Sequence, residues 1–305
     1  MTTVFIDGSA GTTGLRIRER LADRKDLTVL TLPEELRKDV SAREDMLNSV
    51  DVAFLCLPDA AAVEAVSLIE NDHTAVIDTS TAHRINDAWA YGFAELSAAH
   101  RQTIKGSKRI ANPGCHASGF ISGVYPLVSH GVIPKDFPLT AYSLTGYSGG
   151  GKKLIAEYED GNRDIRHESH RIYGTNLQHK HLPEMRKICG LTREPVFSPI
   201  LGDFYAGMAT SVLLPGFDAK LVWQCLSDHY AGETIVTVAP FGGDESVVYA
   251  STLAGKDTMR IQVTGHENQA MVTAIFDNLG KGASGAAIQN MNILLGLEET
   301  TGLNV

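Results

Sequence analysis

Short apolar runs alternate with amphipathic stretches through the first hundred residues. Four runs have strand length and are rich in β-branched side chains: residues 4–6, 27–32, 52–57 and 75–78. The segments 15–24 (LRIRERLADR) and 60–70 (AAAVEAVSLIE) carry apolar residues at helical spacing. Strands that are apolar throughout and alternate with helices predict a parallel sheet with crossover helices on its faces.

A glycine-rich turn, DGSAGTTG, joins the first predicted strand to the first helix. The G-x-x-G-x-x-G spacing suits a turn whose backbone N–H groups face a pyrophosphate at a helix N-terminus, although a plain strand-to-helix turn remains the alternative. We predict that a dinucleotide contacts this turn and one serine after the fourth strand: Gly8, Ser9, Ala10, Gly11, Thr12, Thr13, Gly14 and Ser80.

The end of the second strand bears on the identity of the dinucleotide. NAD enzymes often carry an acidic residue there for the ribose. The strand instead ends in Thr-Leu-Pro, with Glu34 and Glu35 only afterwards, which favours NADP. Arg37 and Lys38 are the candidate partners of the 2′-phosphate.

The second half of the chain has a different pattern. Several strand-like runs lie between residues 196 and 276, and the last two, 259–265 and 269–277, alternate apolar with polar residues. This alternation predicts an antiparallel sheet with one face toward solvent, a surface that often carries a dimer interface. Small and apolar residues from 283 onward predict a terminal helix that packs back on the first domain.

Cys115 follows the chain-breaking Asn112-Pro113-Gly114 and precedes a stretch with helical apolar spacing. A cysteine at a helix N-terminus has its thiolate stabilised by the partial positive charge there, so we predict a nucleophile. We interpret Cys56, Cys189 and Cys225 as small core residues, because no such turn precedes them.

A thiolate nucleophile needs a proton donor or acceptor, and the segment QHKHLPE offers His179 and His181. In an extended segment the two side chains point to opposite faces, so one histidine serves the site and the other takes a structural hydrogen bond. The alternatives are a surface loop rich in histidine and a metal site of His179, His181 and Glu184; we expect no metal, since nothing else supplies a matching ligand.

A second glycine-rich segment, TGYSGGGKK (145–153), follows a strand-like run. Backbone N–H groups, the hydroxyl of Ser148 and the charge of Lys152 suit an acidic or phosphorylated substrate. A flexible loop is the alternative.

Composition narrows the class of protein. The chain has 305 residues and a formal net charge of −9, which argues against nucleic-acid and membrane partners. Four widely spaced cysteines, without a CxxC pair, indicate a reduced, cytoplasmic protein. No secretory signal and no apolar run of membrane-spanning length are apparent.

Taken together, GSAGTTG, NPGCHASG, TGYSGGGKK, HKHLPE and KGASGAAIQNMNILLGL resemble the N-acetyl-γ-glutamyl-phosphate reductases in their shorter form. The resemblance implies an α/β fold of glyceraldehyde-3-phosphate dehydrogenase-like architecture. A Rossmann NADP-binding domain (1–114 and 280–305) is combined with an α+β catalytic and dimerisation domain (115–279). It further implies a homodimer or homotetramer.

The same resemblance implies the reaction and its residues. NADPH reduces N-acetyl-γ-glutamyl phosphate to the semialdehyde with release of phosphate, as a step of arginine biosynthesis. Cys115 matches the family's nucleophile and His179 its acid/base histidine. The expected substrate contacts are Arg84, Asn112, Ser148, Gly149, Gly150, Lys152, His181 and Glu184.

Three other functions compete with this interpretation. An aspartate-semialdehyde dehydrogenase shares the fold, cysteine and cofactor. A cysteine hydrolase needs no dinucleotide, which the first glycine turn argues against. A non-catalytic NADP-binding regulator has no use for an activated thiol.

Overall fold

The computed structural model describes residues 1–243 and 247–305. The chain divides into two compact units: Met1–Pro113 with Ala283–Leu303, and Gly114–Gly282 with Asn304–Val305.

The first unit is built on a sheet in which every described strand pair is parallel. Its strands are β1 (Thr2–Asp7), β2 (Leu27–Leu30), β3 (Val52–Leu55), β4 (Ala75–Asp78), β5 (Ala90–Tyr91) and β6 (Arg109–Ala111). They lie in the order β2-β1-β3-β4-β6-β5, so the chain reverses its direction of winding beside β1. In open parallel sheets, ligands bind at this point, outside the carboxyl ends of the strands.

Helices cover both faces of this sheet. They are α1 (Thr12–Leu21), α2 (Val40–Ser49), α3 (Asp59–Ser67), α4 (Ala98–Gly106) and α9 (Gly285–Leu294). Successive β1 side chains point to opposite faces, because side chains alternate along a strand. Val4 and Ile6 pack with α1 and α9, whereas Phe5 packs with Leu47 of α2 and Ala62 of α3. The predicted buried parallel sheet is confirmed, and β2 ends two residues earlier than the apolar run suggested.

The second unit contains a mixed seven-stranded sheet in the order β11-β12-β13-β10-β7-β9-β8. Its strands are β7 (Thr140–Thr145), β8 (Arg171–Ile172), β9 (Val196–Leu201), β10 (Met208–Pro215), β11 (Val236–Val238), β12 (Met259–His266) and β13 (Gln269–Phe276). The antiparallel pairing of β12 with β13, predicted from their alternation, is confirmed.

The described part of this unit, residues 114–243 and 247–282, has four α-helices: α5 (Cys115–Ser129), α6 (Gly151–Glu159), α7 (Leu182–Ile188) and α8 (Ala219–His229). Helix α5 packs on β10 and β13 through Gly119 and Gly123. Added Cβ atoms at these glycines would come within 2.4 Å of Thr210 and 2.9 Å of Val272. The helix therefore lies close to the sheet, which brings its first turn against side chains of β7 and β10.

The glycine-rich segment 145–153 is not the flexible loop that was the alternative to an anion-binding segment. A 3₁₀ helix (Tyr147–Gly150) leads directly into α6. Gly151, with a φ of 77°, makes the change of direction between them. Among the helices of the described residues, none is both long and apolar enough to cross a bilayer.

Candidate active site

The turn after β1 requires two of its three glycines for its own backbone. Gly8 has a φ of 84°, and a Cβ there would lie 2.3 Å from the carbonyl oxygen of Cys56. A Cβ on Gly14 would lie 2.5 Å from the carbonyl oxygen of Gly8. Gly14 thus lets α1 pack closely on the turn itself. A Cβ on Gly11 has no contact closer than 3.4 Å, so this position remains open for a ligand.

This turn fits a dinucleotide. A cavity of about 240 Å³ lies at the carboxyl ends of β1 and β3, lined by residues 5–11, Leu32, Arg37, Lys38 and residues 56–58. The Oγ1 atom of Thr12, in the first turn of α1, is buried and has no hydrogen-bond partner among residues 1–243 and 247–305. Backbone N–H groups at a helix start and a spare hydroxyl suit a pyrophosphate.

Among the described residues that line this cavity, the only acidic one is Asp7, and it is paired. Burial raises the pKa of Asp7, while the guanidinium of Arg43 acts in the opposite direction. Arg43 donates from Nε to Asp7 at 3.0 Å and from Nη1 to Glu64 at 2.8 Å. Arg37 and Lys38 are the basic side chains on the cavity wall, and Arg37 pairs with Glu34 at 2.6 Å.

Three further residues with predicted roles lie in the first unit and are held by the ends of its strands. Ser80 donates from Oγ to Asp78 at 2.7 Å. Arg84 donates to the carbonyl oxygens of Asn112 and Thr79, each at 2.9 Å. The Asn112 amide donates to the carbonyl of Ala283 and accepts from Asn290. These bonds tie β4 and β6 together, and the predicted cofactor and substrate contacts of these residues stay predictions.

Cys115 is the first residue of α5 and is partly accessible. The buried carboxylate of Glu184, on α7, accepts the backbone N–H of Gly114 at 2.9 Å. Gly282, in a π-helical turn (Gly280–Ser284), lies directly against the nucleophile: an added Cβ would be 3.0 Å from the Cβ of Cys115. The start of α5, the carboxylate of Glu184 and the turn that contains Gly282 together fix the position of the thiol.

Three imidazole rings form one cluster beside this helix start. The ring centroids of His179 and His181 are 4.8 Å apart, and His116 lies 5.3 Å from the first and 5.8 Å from the second. The prediction that His179 and His181 point to opposite faces is therefore wrong. The segment turns, with the N–H of Leu182 donating to the carbonyl of His179, instead of running extended.

His179 is the more accessible ring of the pair, since His181 is 5% exposed. Its Nδ1 accepts the backbone N–H of His181 at 3.2 Å, which leaves the proton of the neutral ring on Nε2. Burial, and secondarily the charge of Lys180, lowers the pKa of His179 to about 4. The free site thus holds a neutral imidazole with a fixed tautomer.

His116 and Tyr173 belong to this cluster, although the sequence analysis gave them no role. The Nε2 of His116 lies 2.7 Å from the hydroxyl of Tyr173, and its Nδ1 lies 2.8 Å from the hydroxyl of Ser143. The position of His116, next to the nucleophile in the sequence, was the available signal. Nothing in the sequence around Tyr173 indicated that its loop returns to α5.

Asn278 is a further residue that the sequence analysis missed. Its Nδ2 donates to the fully buried hydroxyl of Ser148 at 2.9 Å, and its Oδ1 accepts the N–H of Gly207 at 2.8 Å. The backbone of Gly149 also lies against this amide, whereas Lys152 is exposed. Since Asn278 leads into the turn that touches Cys115, it connects the predicted anion-binding segment to the nucleophile.

The other three cysteines differ from Cys115 in that none of them begins a helix. Burial raises the pKa of Cys56 to about 12 and raises that of the buried Cys189. Cys56 and Cys225 were both expected in the core, but each is only partly buried: Cys56 packs against the core of the first unit, and Cys225 lies on α8, where burial again raises its pKa.

The first unit has a parallel sheet with a glycine turn, and the second carries a cysteine beside histidines. This combination is that of the semialdehyde dehydrogenase class. Residues 3–104 match the semialdehyde dehydrogenase NAD-binding domain, and residues 115–278 match the semialdehyde dehydrogenase dimerisation domain. Aspartate semialdehyde dehydrogenase II from Vibrio cholerae has a similar structure: the TM-score is 0.72 at 16% identity, over 97% of this chain and 98% of that chain. The enzyme from Francisella tularensis gives 0.72 at 14% identity, over 97% and 100%. These likenesses confirm the predicted fold.

Sequence relatives identify the family within this class. The N-acetyl-γ-glutamyl-phosphate reductase of Sinorhizobium fredii is 46% identical over 96% of this chain and 98% of its own length. That of Brucella ovis is 48% identical over the same shares. The chain belongs to the N-acetyl-γ-glutamyl-phosphate reductase family, which confirms the resemblance drawn from its motifs.

Proposed function

We propose that this protein reduces N-acetyl-γ-glutamyl phosphate to N-acetyl-glutamate 5-semialdehyde and phosphate with NADPH, a step of arginine biosynthesis. The observation that carries the proposal is the accessible Cys115 at the start of α5, beside a cluster that contains His179, in a chain of this family.

The first half of the reaction is acyl transfer to sulfur. The thiolate of Cys115 attacks the carbonyl carbon of the acyl phosphate, the C–O bond to phosphate breaks, and a thioester forms. The first backbone N–H groups of α5 precede its first intrahelical bond, from Ser118 to Gly114. They are suited to stabilise the oxyanion that develops during this attack.

The second half is reduction of the thioester. A nicotinamide dinucleotide, which the glycine turn after β1 would hold, would supply the hydride for this reduction. His179 gives a proton to the oxygen, forming a hemithioacetal on Cys115, and takes this proton back as the carbon–sulfur bond breaks to release aldehyde and thiolate.

Accessibility supports His179 over His181 as the acid/base group. Negative charge beside the ring, from the acyl phosphate and then from the carbonyl oxygen as hydride adds to the thioester, raises its pKa from about 4 toward the working range, because opposite charge favours the protonated form. His179 thus becomes an effective proton donor only when substrate is bound.

The cofactor preference is for NADP. The wall of the cavity beside the glycine turn carries Arg37 and Lys38, and its one acid among the described residues, Asp7, is paired with Arg43. A 2′-phosphate is therefore matched by positive charge. A related structure, aspartate semialdehyde dehydrogenase from Candida albicans, is a crystal structure with NADP; it has a TM-score of 0.67 at 16% identity, over 97% of this chain and 98% of that chain.

Eight residues are assigned to the substrate on the basis of the family motifs. They are Arg84, Asn112, Ser148, Gly149, Gly150, Lys152, His181 and Glu184. The first unit is assigned to the cofactor and the second to catalysis and dimerisation, the latter supported by the dimerisation-domain match. A homodimer or homotetramer in the cytoplasm is the expected form.

A reverse assay tests this function. NADPH absorbance is followed in mixtures of enzyme, NADP, phosphate and N-acetyl-glutamate semialdehyde, with aspartate semialdehyde and NAD as parallel substitutions. NADPH formation that needs phosphate is expected, and it should vanish in Cys115→Ala but persist in Cys225→Ala. A response to aspartate semialdehyde alone refutes the substrate. Failure with both aldehydes, with NADPH still bound, refutes the catalytic role in favour of a regulator.

A further inference from the structure

The turn that lies against the nucleophile begins at a buried aspartate. Asp277 directly follows β13 and is 2% exposed. One oxygen of its carboxylate, Oδ1, accepts the backbone N–H groups of Leu279 at 2.7 Å and Gly280 at 3.1 Å. Its backbone carbonyl accepts the N–H of Gly282 at 3.0 Å. One residue therefore receives three N–H groups of the turn whose Gly282 lies against Cys115.

The second carboxylate oxygen of Asp277 ties this turn to another segment of the same unit. It accepts the backbone N–H of Gly255. Gly280 packs on that segment without a side chain, because an added Cβ would lie 2.1 Å from the carbonyl oxygen of Lys256. The turn therefore rests on residues 255–257.

The segment 255–257 is held in its turn by Asn304. The carboxylate of Asp257, which is fully buried, accepts the backbone N–H of Asn304 at 2.8 Å, and the N–H of Asp257 donates to the Asn304 carbonyl at 2.8 Å. The side-chain amide of Asn304 donates from Nδ2 to the carbonyl of Gly255 at 2.8 Å. A continuous set of hydrogen bonds thus runs from Asn304, through this segment, to Asp277.

The position of Gly282 matters for the thiol. An added Cβ on Gly282 would lie 3.0 Å from the Cβ of Cys115, so the backbone of this glycine forms a wall beside the nucleophile. A reacting group must be held within about 0.5 Å of its productive position by the groups around it. Without the Asp277 carboxylate, the backbone N–H groups of the turn would have to find other acceptors, and the wall would move.

We propose that Asp277 is a positioning residue for the reduction: it holds the turn 279–282 against Cys115 and so keeps the thiol in its reactive orientation. Asn304 supports the same turn from a greater distance, through residues 255–257. The inference rests on the proposed role of Cys115 as nucleophile.

The test compares kcat with the alkylation of individual cysteines by iodoacetamide in the intact protein without substrate, followed for each cysteine peptide by mass spectrometry. The alkylation rate is taken at its high-pH plateau, so that it reports access rather than ionisation. In Asp277→Ala, kcat should fall at least about tenfold, because a misplaced nucleophile reacts slowly. Cys115 should be alkylated faster, while Cys189, which is 3% exposed, should stay as protected as in the wild type. This contrast separates local loosening from general unfolding.

Asp218→Ala is the matched control. The Asp218 carboxylate also accepts two backbone N–H groups, those of Lys220 and Leu221 at the start of α8. Its loss should lower the melting temperature, as the loss of a helix cap does, and leave kcat and the alkylation rate of Cys115 unchanged.

Two milder variants test the same connection. Asp277→Asn keeps an oxygen that can accept the N–H groups of Leu279 and Gly280, so it should recover most of the lost kcat. Asn304→Ala removes the side-chain bond to Gly255 from an exposed residue. It should lower kcat by about threefold and increase the alkylation rate of Cys115, because one hydrogen bond of the support is lost.

An unchanged kcat in Asp277→Ala, an unchanged alkylation rate of Cys115, or alkylation of Cys189 in step with Cys115 overturns the proposal. If Asp277→Ala does not fold, Asn304→Ala decides, and wild-type values of both quantities in that variant overturn it. The proposed function fails by a different sign: NADPH formation that survives Cys115→Ala counts against the nucleophile, whereas the alkylation rates need no substrate.

Discussion

The free energy of unfolding is expected to fall in acid because of His116. Its ring is neutral in the fold, with a pKa lowered to about 3 by burial, whereas an unfolded histidine titrates near 6.5. Because the folded pKa is the lower one, the contribution is fully present above pH 6.5 and is lost as the pH falls toward 3. Between pH 7.5 and pH 5 the linkage relation gives a loss of about 2 kcal/mol from this one group.

The perturbation is His116→Gln, which removes the titration while keeping an amide that can hydrogen-bond. The free energy of unfolding is measured by urea denaturation at several pH values from 7.5 to 5. The absolute stability of the variant is expected to be lower, so the informative quantity is the change with pH. The wild type should lose about 2 kcal/mol more than the variant over this range.

The exposed His73 provides the control, and His73→Gln should follow the wild-type pH dependence. His179 also has a lowered pKa, but it remains in both proteins and largely cancels in the comparison. Parallel pH dependences for wild type and His116→Gln would refute the reasoning. They would mean that His116 is solvated or charged in the fold.

Three other substitutions probe the two units separately. Gly282→Ala places a methyl group 3.0 Å from the Cβ of Cys115, so kcat should fall at least tenfold. NADPH binding, followed by fluorescence, should be unchanged. An unaltered kcat would show that the π-helical turn moves aside easily. Lys38→Ala should weaken NADP binding by roughly tenfold and leave NAD binding nearly constant, as measured by calorimetry. Equal losses of affinity for NADP and NAD would argue against a 2′-phosphate contact. Asn278→Ala removes the amide that holds the Ser148 hydroxyl, so KM for the acyl phosphate should rise more than kcat falls; a change confined to melting temperature would limit Asn278 to a structural role.

Local signals in the sequence determined the secondary structure of this protein and the kind of sheet in its first unit. Apolar strand-length runs separated by helical patterns identified the parallel sheet, because burial on both faces leaves no polar alternation. Pro113 and Gly114 before Cys115 predicted a helix start at the cysteine, since these residues break the preceding strand. Such features depend on neighbours within a few residues, which a single sequence displays directly.

The tertiary structure alone decided which groups meet around Cys115. The side-by-side pairing of Ser143 with Thr210 depends on strand register between segments that lie far apart in the chain. Tyr173 is held beside His116 by its backbone N–H, which donates to the carbonyl of Pro199 in β9. The turn before α7, which faces His179 toward His181, and the contact of Gly282 with Cys115 are likewise set by packing. Hydrophobic periodicity fixes which face of an element is buried, but not which residue of a distant element lies opposite, and that pairing makes the site.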